Sequence, residues 1–559
     1  MLRRAALFAV LLALVFCAAG AFQRGLWAPD EPREAEIGRE MLVSRWSAVP
    51  TLGGEAFLEK PPLFAWVMAA SYALFGDASP GAARVPAVLF SALSVVVAYL
   101  LGRRCGGRFA GLCAAAVLVA CYEFARISHS ALIDTALTFF VATGHLALLT
   151  ARDAVRVGRR TSAFVVAGVL AGLAFLTKGL VGPVLVVAPP LLAAAVAREG
   201  AFLRAALPRV AAWSTAFVLL LGGPWVLALA HDAGWKAVGE CLVRNTLARA
   251  IGKGPESANL AVHDNPPWYY LEYLPLVLLP WTLAIPALVA DGTLRRRADA
   301  GRTKHLALLA LAGIVLLSIP SGKRTLYLVP LLPAVAAVFG VWLSRAGSTR
   351  TARADRATSI ALLVVVAAAA AVVAYVLCGG PLPSGASSGK YRGLLDVHGA
   401  TATAYGVACG FAAAFVACLA FGDRRGPAQT SVRHAVAAVL AAVFAWHALG
   451  TPLLDSAMDL RPGAARISSL VPPDEPLLVL APDETTRAAL TFGTGRTLSL
   501  AYSARGVRDR LAGGGIRHVV VLESGEKCID APLRAQLRLV ESVHLNWERV
   551  VNVYDWTGG

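Results

Sequence analysis

Two acidic clusters and a scatter of cations interrupt an otherwise apolar chain of 559 residues. The first cluster is Asp30 and Glu31, in Ala28-Pro29-Asp30-Glu31-Pro32-Arg33; the second is Glu55, Glu59 and Lys60, just ahead of Pro61-Pro62. Farther along come Arg126, His129 and Asp134 in RISHSALIDTAL, Lys178 in LTKGL, and Asn245, Arg249, His263 and Asp264 before PPWYYLEYLP. Lys323 and Tyr327 follow in SGKRTLYLVP. Cations can neutralise charge gathering on a departing phosphate, and a carboxylate can take the proton of an acceptor hydroxyl or orient it. These residue types around a lipid-facing cavity suit transfer of a group from a lipid phosphate. Plainer readings compete. Asp30 and Glu31 would also cap the helix EPREAEIGREML, worth less than about 1 kcal/mol, Lys178 could snorkel to an interface, and His129 alone reads as a satisfied interior histidine. The closeness of Asp30 and Glu31 to EKPP favours chemistry, and an ionisable group at a hydrocarbon boundary, as at Asp134 and Lys178, is a functional candidate by default.

The elements that would position these residues are membrane spans. Hydrophobic residues make up 57% and charged residues 16%, against the roughly 25% charged typical of soluble domains, and mean hydropathy is +0.63. After the apolar N-terminus, Met1 to Phe22, runs of suitable length occur near 84–101, 110–122, 132–149, 162–176, 179–197, 208–230, 270–290, 303–319, 326–344, 357–378, 399–421 and 431–449. That predicts about thirteen spans. With alternate loops cytoplasmic, segments 1–4, 102–109, 150–161, 197–209, 290–304, 344–357 and 422–434 hold 24 Lys/Arg against 6 Asp/Glu. The short outer loops 123–131, 177–179, 320–325 and 379–398 hold only 6 Lys/Arg, which is the positive-inside pattern. This bookkeeping requires Pro61–Gly76 to be a helix along the outer surface rather than a span, since otherwise Arg103, Arg104 and every later cluster change sides. The net charge of +17 is thereby explained by membrane orientation, and no nucleic-acid partner is expected.

After Gly450 the pattern changes to alternating strands and helices: PLLVLA at 476–481, RTLSL at 496–500, IRHVVVLE at 516–523 and a terminal pair ending in RVVNVYDW. The expected organisation is a transmembrane unit, 1–450, with a large outer loop over 23–83, followed by a small extracytoplasmic α/β domain, 451–559. FGTGR at 492–496 lacks the third glycine of a dinucleotide fingerprint, and no GxxxxGK[ST] occurs, so no nucleotide cofactor is expected. Nine cysteines include no CxxC pair, which argues against a structural zinc or a disulfide scaffold.

Taken in order, APDEPREAEIGREML, LEKPPLFAWVMAASYALFG, ARVPAVLFSAL, ALIDTAL, FLTKG, NPPWYYLEYLPLVLLPWTL and SGKRTLYLVP resemble the polyprenyl-phosphate-dependent membrane glycosyltransferases of the GT-C superfamily. The nearest branch is the aminoarabinose lipid A transferase (ArnT-like) one, related to protein O-mannosyltransferases, and the resemblance runs from about residue 20 to 345. It implies a polytopic α-helical inner-membrane protein acting on its outer side. The donor would be a polyprenyl (undecaprenyl) phosphate sugar, and the acceptor lipid A, a glycan or a protein. By position, Asp30, Glu31 and Asp134 would form the catalytic acidic set. Arg33, Lys60, Lys178, Arg249, Lys323 and Tyr327 would bind the donor phosphate, and Glu59 with His263 would hold a divalent metal cation, as in some relatives. One departure is plain: an aromatic Tyr usually follows DEPR in this family, and here Glu34 stands there. The rival reading is a multi-span lipid or sugar transporter, though transporters usually place ionisable groups at the midplane on broken helices.

Overall fold

A computed structural model describes residues 2–245, 265–294, 300–346, 352–378, a few positions between 405 and 416, and 428–558. Helix α1 (Leu2–Ala18) packs on the long helix that follows the first loop. That loop carries α2 (Asp30–Val43), a hairpin of β1 (Thr51–Leu52) and β2 (Glu55–Ala56), and α3 (Leu63–Phe75). Gly53 and Gly54, with φ of 60° and 81°, supply the two left-handed positions that a tight hairpin turn requires. Pro62 caps α3 at its start and Gly76, at φ 79°, closes it, as the sequence predicts. Its 13 residues reach about 20 Å at 1.5 Å per residue, short of a bilayer core of about 30 Å.

Helix α4 (Pro80–Val119) is two arms folded back at Gly106 and Gly107, the latter at φ 86°. A side chain at Gly102 would come within 2.8 Å of Ala110 O, so small residues permit the close approach of the arms. The reversal falls within the Arg-rich segment 102–109. Then follow α5 (Tyr122–Ser128), α6 (Asp134–Asp153), α7 (Val157–Lys178), α8 (Val181–Val196), α9 (Gly200–Phe217) and α10 (Gly223–Gly239). Next are α11 (Tyr269–Val277), α12 (Ile285–Asp291), α13 (Ala300–Ser318), α14 (Leu332–Leu343), α15 (Ala352–Leu377) and α16 (Ala428–Ala445).

Among the described residues eight helices are long and apolar enough to cross a membrane, or nine if the pair bent by 95° around 278–280 is one span. The expected count of about thirteen is not confirmed: α1 and α8 fall short of full length, the α4 hairpin counts once, and most of 399–421 lies outside the described residues. The apolar stretch of α15 is only 11% buried, and Leu219, Leu220 and Leu227 stand more than 60% exposed. Helices that are apolar yet uncovered by protein are stable in lipid, not in water. The chain is a multi-pass membrane protein.

The C-terminal domain opens with α17 (Thr451–Met458) and α18 (Arg461–Leu470) and contains a five-stranded sheet in the order β4-β3-β5-β7-β6. Strands β3 (Leu477–Leu480), β4 (Leu498–Ala501) and β5 (His518–Leu522) are parallel, and β7 (Val550–Trp556) and β6 (Leu537–His544) complete it antiparallel. Parallel strands need both faces covered. Leu477, Val479 and Val520 pack on one side with Leu490 of α19 (Glu484–Thr494), and Leu478, Leu480 and Val519 on the other with Val507 of α20 (Ala504–Ala512). Helix α19 rests on α2, so this small domain reaches the loop that holds the first acids.

Candidate active site

The adjacent acids of α2 have different fates. Glu31 is fully buried, and its carboxylate accepts from Arg24 Nη1 (2.7 Å), Arg84 Nε (2.7 Å), Trp27 N (3.0 Å) and Ala131 N (2.9 Å). Burial alone would raise its pKa, but Arg24 and Arg84 outweigh this and hold it down at about 2. Glu31 ties α2 to the start of α4 and to the segment before α6. The structure therefore places it in a packed ion cluster, outside the cavity.

Asp30 faces the other way. One carboxylate oxygen accepts from Arg33 Nη2 (2.8 Å) and the other from Arg324 Nη2 (2.7 Å). Burial pushes its pKa up, yet these two guanidinium groups more than offset the push and keep it well below the usual carboxylate range. Arg33 reaches Glu484 of α19 (2.8 Å) and Glu34 (3.4 Å), and Glu34 accepts from Lys60 Nζ at 2.6 Å. Asp30 and Lys60 are thus joined by a short chain of charge-assisted hydrogen bonds. Glu34, which stands where the resemblance implies a Tyr, is the partner of Lys60.

Lys60 lines a cavity of about 160 Å³ with Glu59, Pro61, Leu137, Lys178, Gly179, Val181, Leu185, Cys241, Asn245, Leu317, Pro320, Gly322 and Tyr327. Most of this wall is apolar. Lys178, the last residue of α7, donates to Asp134, the first of α6, and its Nζ lies 4.4 Å from the centre of the Tyr327 ring. Asn245 donates to Leu58 O (2.7 Å), fixing the edge of the EKPP segment. The cavity therefore presents two lysines, each with a carboxylate partner, at helix ends against an apolar wall. That arrangement can accept a phosphate beside a hydrocarbon chain.

Lys323 is placed elsewhere: it is buried, and its Nζ donates to Asn265 O at 2.8 Å. Its neighbour Arg324, missed by sequence reasoning, is the one that meets Asp30. Arg249 and His263 lie outside the described residues. His129 is buried with its ring nitrogens at Ala125 O and Phe16 O, the plain reading of that histidine. No group of three or more His, Cys, Asp or Glu able to hold a metal ion occurs among the described residues. Glu59 is at the cavity but does not complete a metal site with them.

The α-helical bundle, with its first loop packed against a C-terminal α/β domain, is ArnT-like in fold. A crystal structure of ArnT from Cupriavidus metallidurans bound to undecaprenyl phosphate superposes with a TM-score of 0.75 and 23% identity, covering 98% of this chain and 97% of that one. Its apo state gives a TM-score of 0.72 at 22% identity, with the same coverage. A family model described as dolichyl-phosphate-mannose-protein mannosyltransferase matches residues 59–226. An undecaprenyl phosphate-α-4-amino-4-deoxy-L-arabinose arabinosyl transferase of Pseudomonas aeruginosa (strain UCBPP-PA14) is 32% identical over 322 residues, 56% of this chain and 55% of its own. The chain spans a little over half the length of the relatives it matches.

Proposed function

We propose that the protein transfers a sugar from a polyprenyl (undecaprenyl) phosphate carrier to an envelope acceptor such as lipid A, a glycan or a protein. The site would lie on the outer side of the inner membrane, the side that the distribution of Arg and Lys assigns to the loops bearing Asp30, Lys60 and Lys178. The observation that carries this reading is the pair Lys60 and Lys178 on one apolar-walled cavity, with Asp30 linked to Lys60 through Arg33 and Glu34. The relatives' names and the ArnT complex with undecaprenyl phosphate support it.

In the proposed reaction the acceptor oxygen bonds to the anomeric carbon as the bond from that carbon to the phosphate oxygen breaks, with inversion. The phosphate leaves with the electron pair, and Lys60 and Lys178 compensate its charge by exchanging Glu34 and Asp134 for phosphate oxygens. Asp30, held ionised by Arg33 and Arg324, is a weak base as placed. A phosphate acceptor, already anionic, would need no base, and Asp30 would then orient the sugar through Arg33 or Arg324. With an alcohol acceptor, Asp30 would have to give up one guanidinium to take the proton. Glu59 and His263 are the proposed holders of a divalent cation, which would add positive charge beside the donor phosphate. The acids and lysines stand at helix ends, at the first residue of α6 and the last of α7, which favours transfer over transport.

The test is transfer from lipid-linked sugar by the full-length protein in vesicles, with mass spectrometry of lipid-linked sugars in cells lacking it to identify the donor. Lys60→Ala and Asp30→Asn should each lower transfer by about 100-fold or more while membrane insertion persists. Near-normal transfer by both variants rejects the site.

A further inference from the structure

A second cavity, of about 520 Å³, opens at the other end of the bundle, lined by Leu100, Arg103, Arg104, Thr150, Asp153, Ala154, Arg159 and Arg302. Helix α6 begins at Asp134, behind the candidate site, and ends at Asp153, in this cavity. Helix α7 carries Arg159 near its start and Lys178 at its end. Twenty residues of α6 rise about 30 Å, the thickness of a hydrocarbon core, so the two cavities face opposite membrane surfaces. This second one falls on the cytoplasmic side.

Its charge is unbalanced. Four arginines converge from the α4 turn, α7 and α13, and among the described residues Asp153 is the only carboxylate in the wall. Asp153 already accepts from Arg302 Nε (2.5 Å) and Arg152 Nη1 (3.2 Å), while Arg103, Arg104 and Arg159 form no salt bridge among the described residues. Arg159 and Arg302 also sit in the first turns of α7 and α13, where the helix dipole disfavours a cation and favours an anion. Membrane orientation needs only a number of cations on one side. It does not require that they surround one concavity, nor that they stand at helix N-termini.

We propose that this cavity binds the phosphate of an anionic membrane lipid from the cytoplasmic leaflet. Guanidinium groups match phosphate oxygens in pairs, basic pockets between transmembrane helices hold such headgroups, and Leu100 gives the cavity an apolar edge on the bundle side. Free phosphate shares the chemistry, but it brings no acyl chains to lie along exposed apolar side chains such as Phe109, Val155 and Val157 of the flanking segments.

Native mass spectrometry of the full-length protein in neutral detergent decides between them, with phosphatidylglycerol, phosphatidylcholine or inorganic phosphate added. The expected result is selective retention of phosphatidylglycerol, reduced about five-fold by Arg159→Gln and about 25-fold by the double variant Arg103→Gln/Arg104→Gln. Arg108→Gln, exposed on the same turn but outside the cavity, should retain the lipid as the unaltered protein does. If the double variant fails to insert, Arg159→Gln carries the test, because Arg159 is exposed and in no ion pair among the described residues. Equal retention of phosphatidylglycerol and phosphatidylcholine, unchanged retention in Arg159→Gln, or displacement of the lipid by equimolar inorganic phosphate would each overturn the proposal.

Discussion

The cluster around Glu31 and the network around Lys60 and Lys178 use the same residue types to opposite ends. At Glu31 every lone pair has a donor: two guanidinium groups and two backbone N–H groups close on one carboxylate, with Arg84 wholly buried. At the cavity each lysine has, among the described residues, a single carboxylate partner, Glu34 for Lys60 and Asp134 for Lys178, and lines open space. A saturated cluster has nothing to offer a ligand and fixes geometry. A singly paired cation can exchange its partner for a phosphate. Satisfaction of hydrogen-bonding capacity, more than charge or burial, thus separates the packed anchor from the lysines proposed to meet the phosphate.

The sharpest way to break this contrast is Glu31→Gln. It leaves Arg24 and Arg84 buried without a counter-charge, and breaking such a pair costs about 3–5 kcal/mol. Thermal unfolding in detergent should show a large loss of stability, with little protein reaching the membrane. Lys60→Ala, by contrast, should cost less stability, because the carboxylate it leaves, Glu34, keeps Arg33 as a counter-charge at 3.4 Å, and should remove transfer. Similar unfolding midpoints for the two variants would mean that Glu31 is not a structural anchor.

Acid probes the same cluster without mutation. The Glu31 pKa is depressed from 4.5 to about 2 by Arg24 and Arg84 against the opposing effect of burial. A carboxylate with a depressed folded-state pKa binds protons more readily once unfolded, so its contribution is fully present above pH 4.5 and is lost as pH falls towards 2. Unfolding midpoints measured from pH 6 to pH 3 should therefore fall, and the fall should be smaller in Glu31→Gln, which has no carboxylate to titrate there. An identical acid dependence in both proteins would assign the loss to other groups.

How far these regions were legible in the sequence follows from the range of the interactions involved. Pro61-Pro62 and Gly76 mark both ends of α3, because proline and glycine act on the backbone locally. The runs LLVL and HVVVL are strands buried on both faces, visible as short continuous apolar stretches between turns. The arginines of 102–109 announce the α4 reversal through the charge rule, not through any helix-breaking signal beyond Gly106-Gly107. Partner choice is another matter. Lys323 and Arg324 are adjacent and equally cationic, and only the turn that follows them sends one to Asn265 and the other to Asp30. Arg84, inside ARVPAVLF, reads as the charged edge of a span, and nothing local says that a carboxylate 53 residues away will neutralise it. Long-range pairing of charges depends on how helices pack, which periodicity does not encode.

The finest test of the contrast is Glu34, the acid that holds Lys60. If its part is to occupy Lys60 until phosphate arrives, Glu34→Gln preserves shape, removes the competing charge and leaves the lysine more available to the donor. The donor KM should then fall about five-fold, the worth of about 1 kcal/mol, with kcat changed less than about two-fold, because the leaving phosphate meets the same lysines. A different split carries a different meaning. If kcat drops while KM holds, Glu34 would be needed in the transition state, for example to return Lys60 to its pose or to bind the sugar directly. Glu34→Tyr would separate those two roles, since an aromatic ring can stack on a sugar but cannot balance the charge of Lys60.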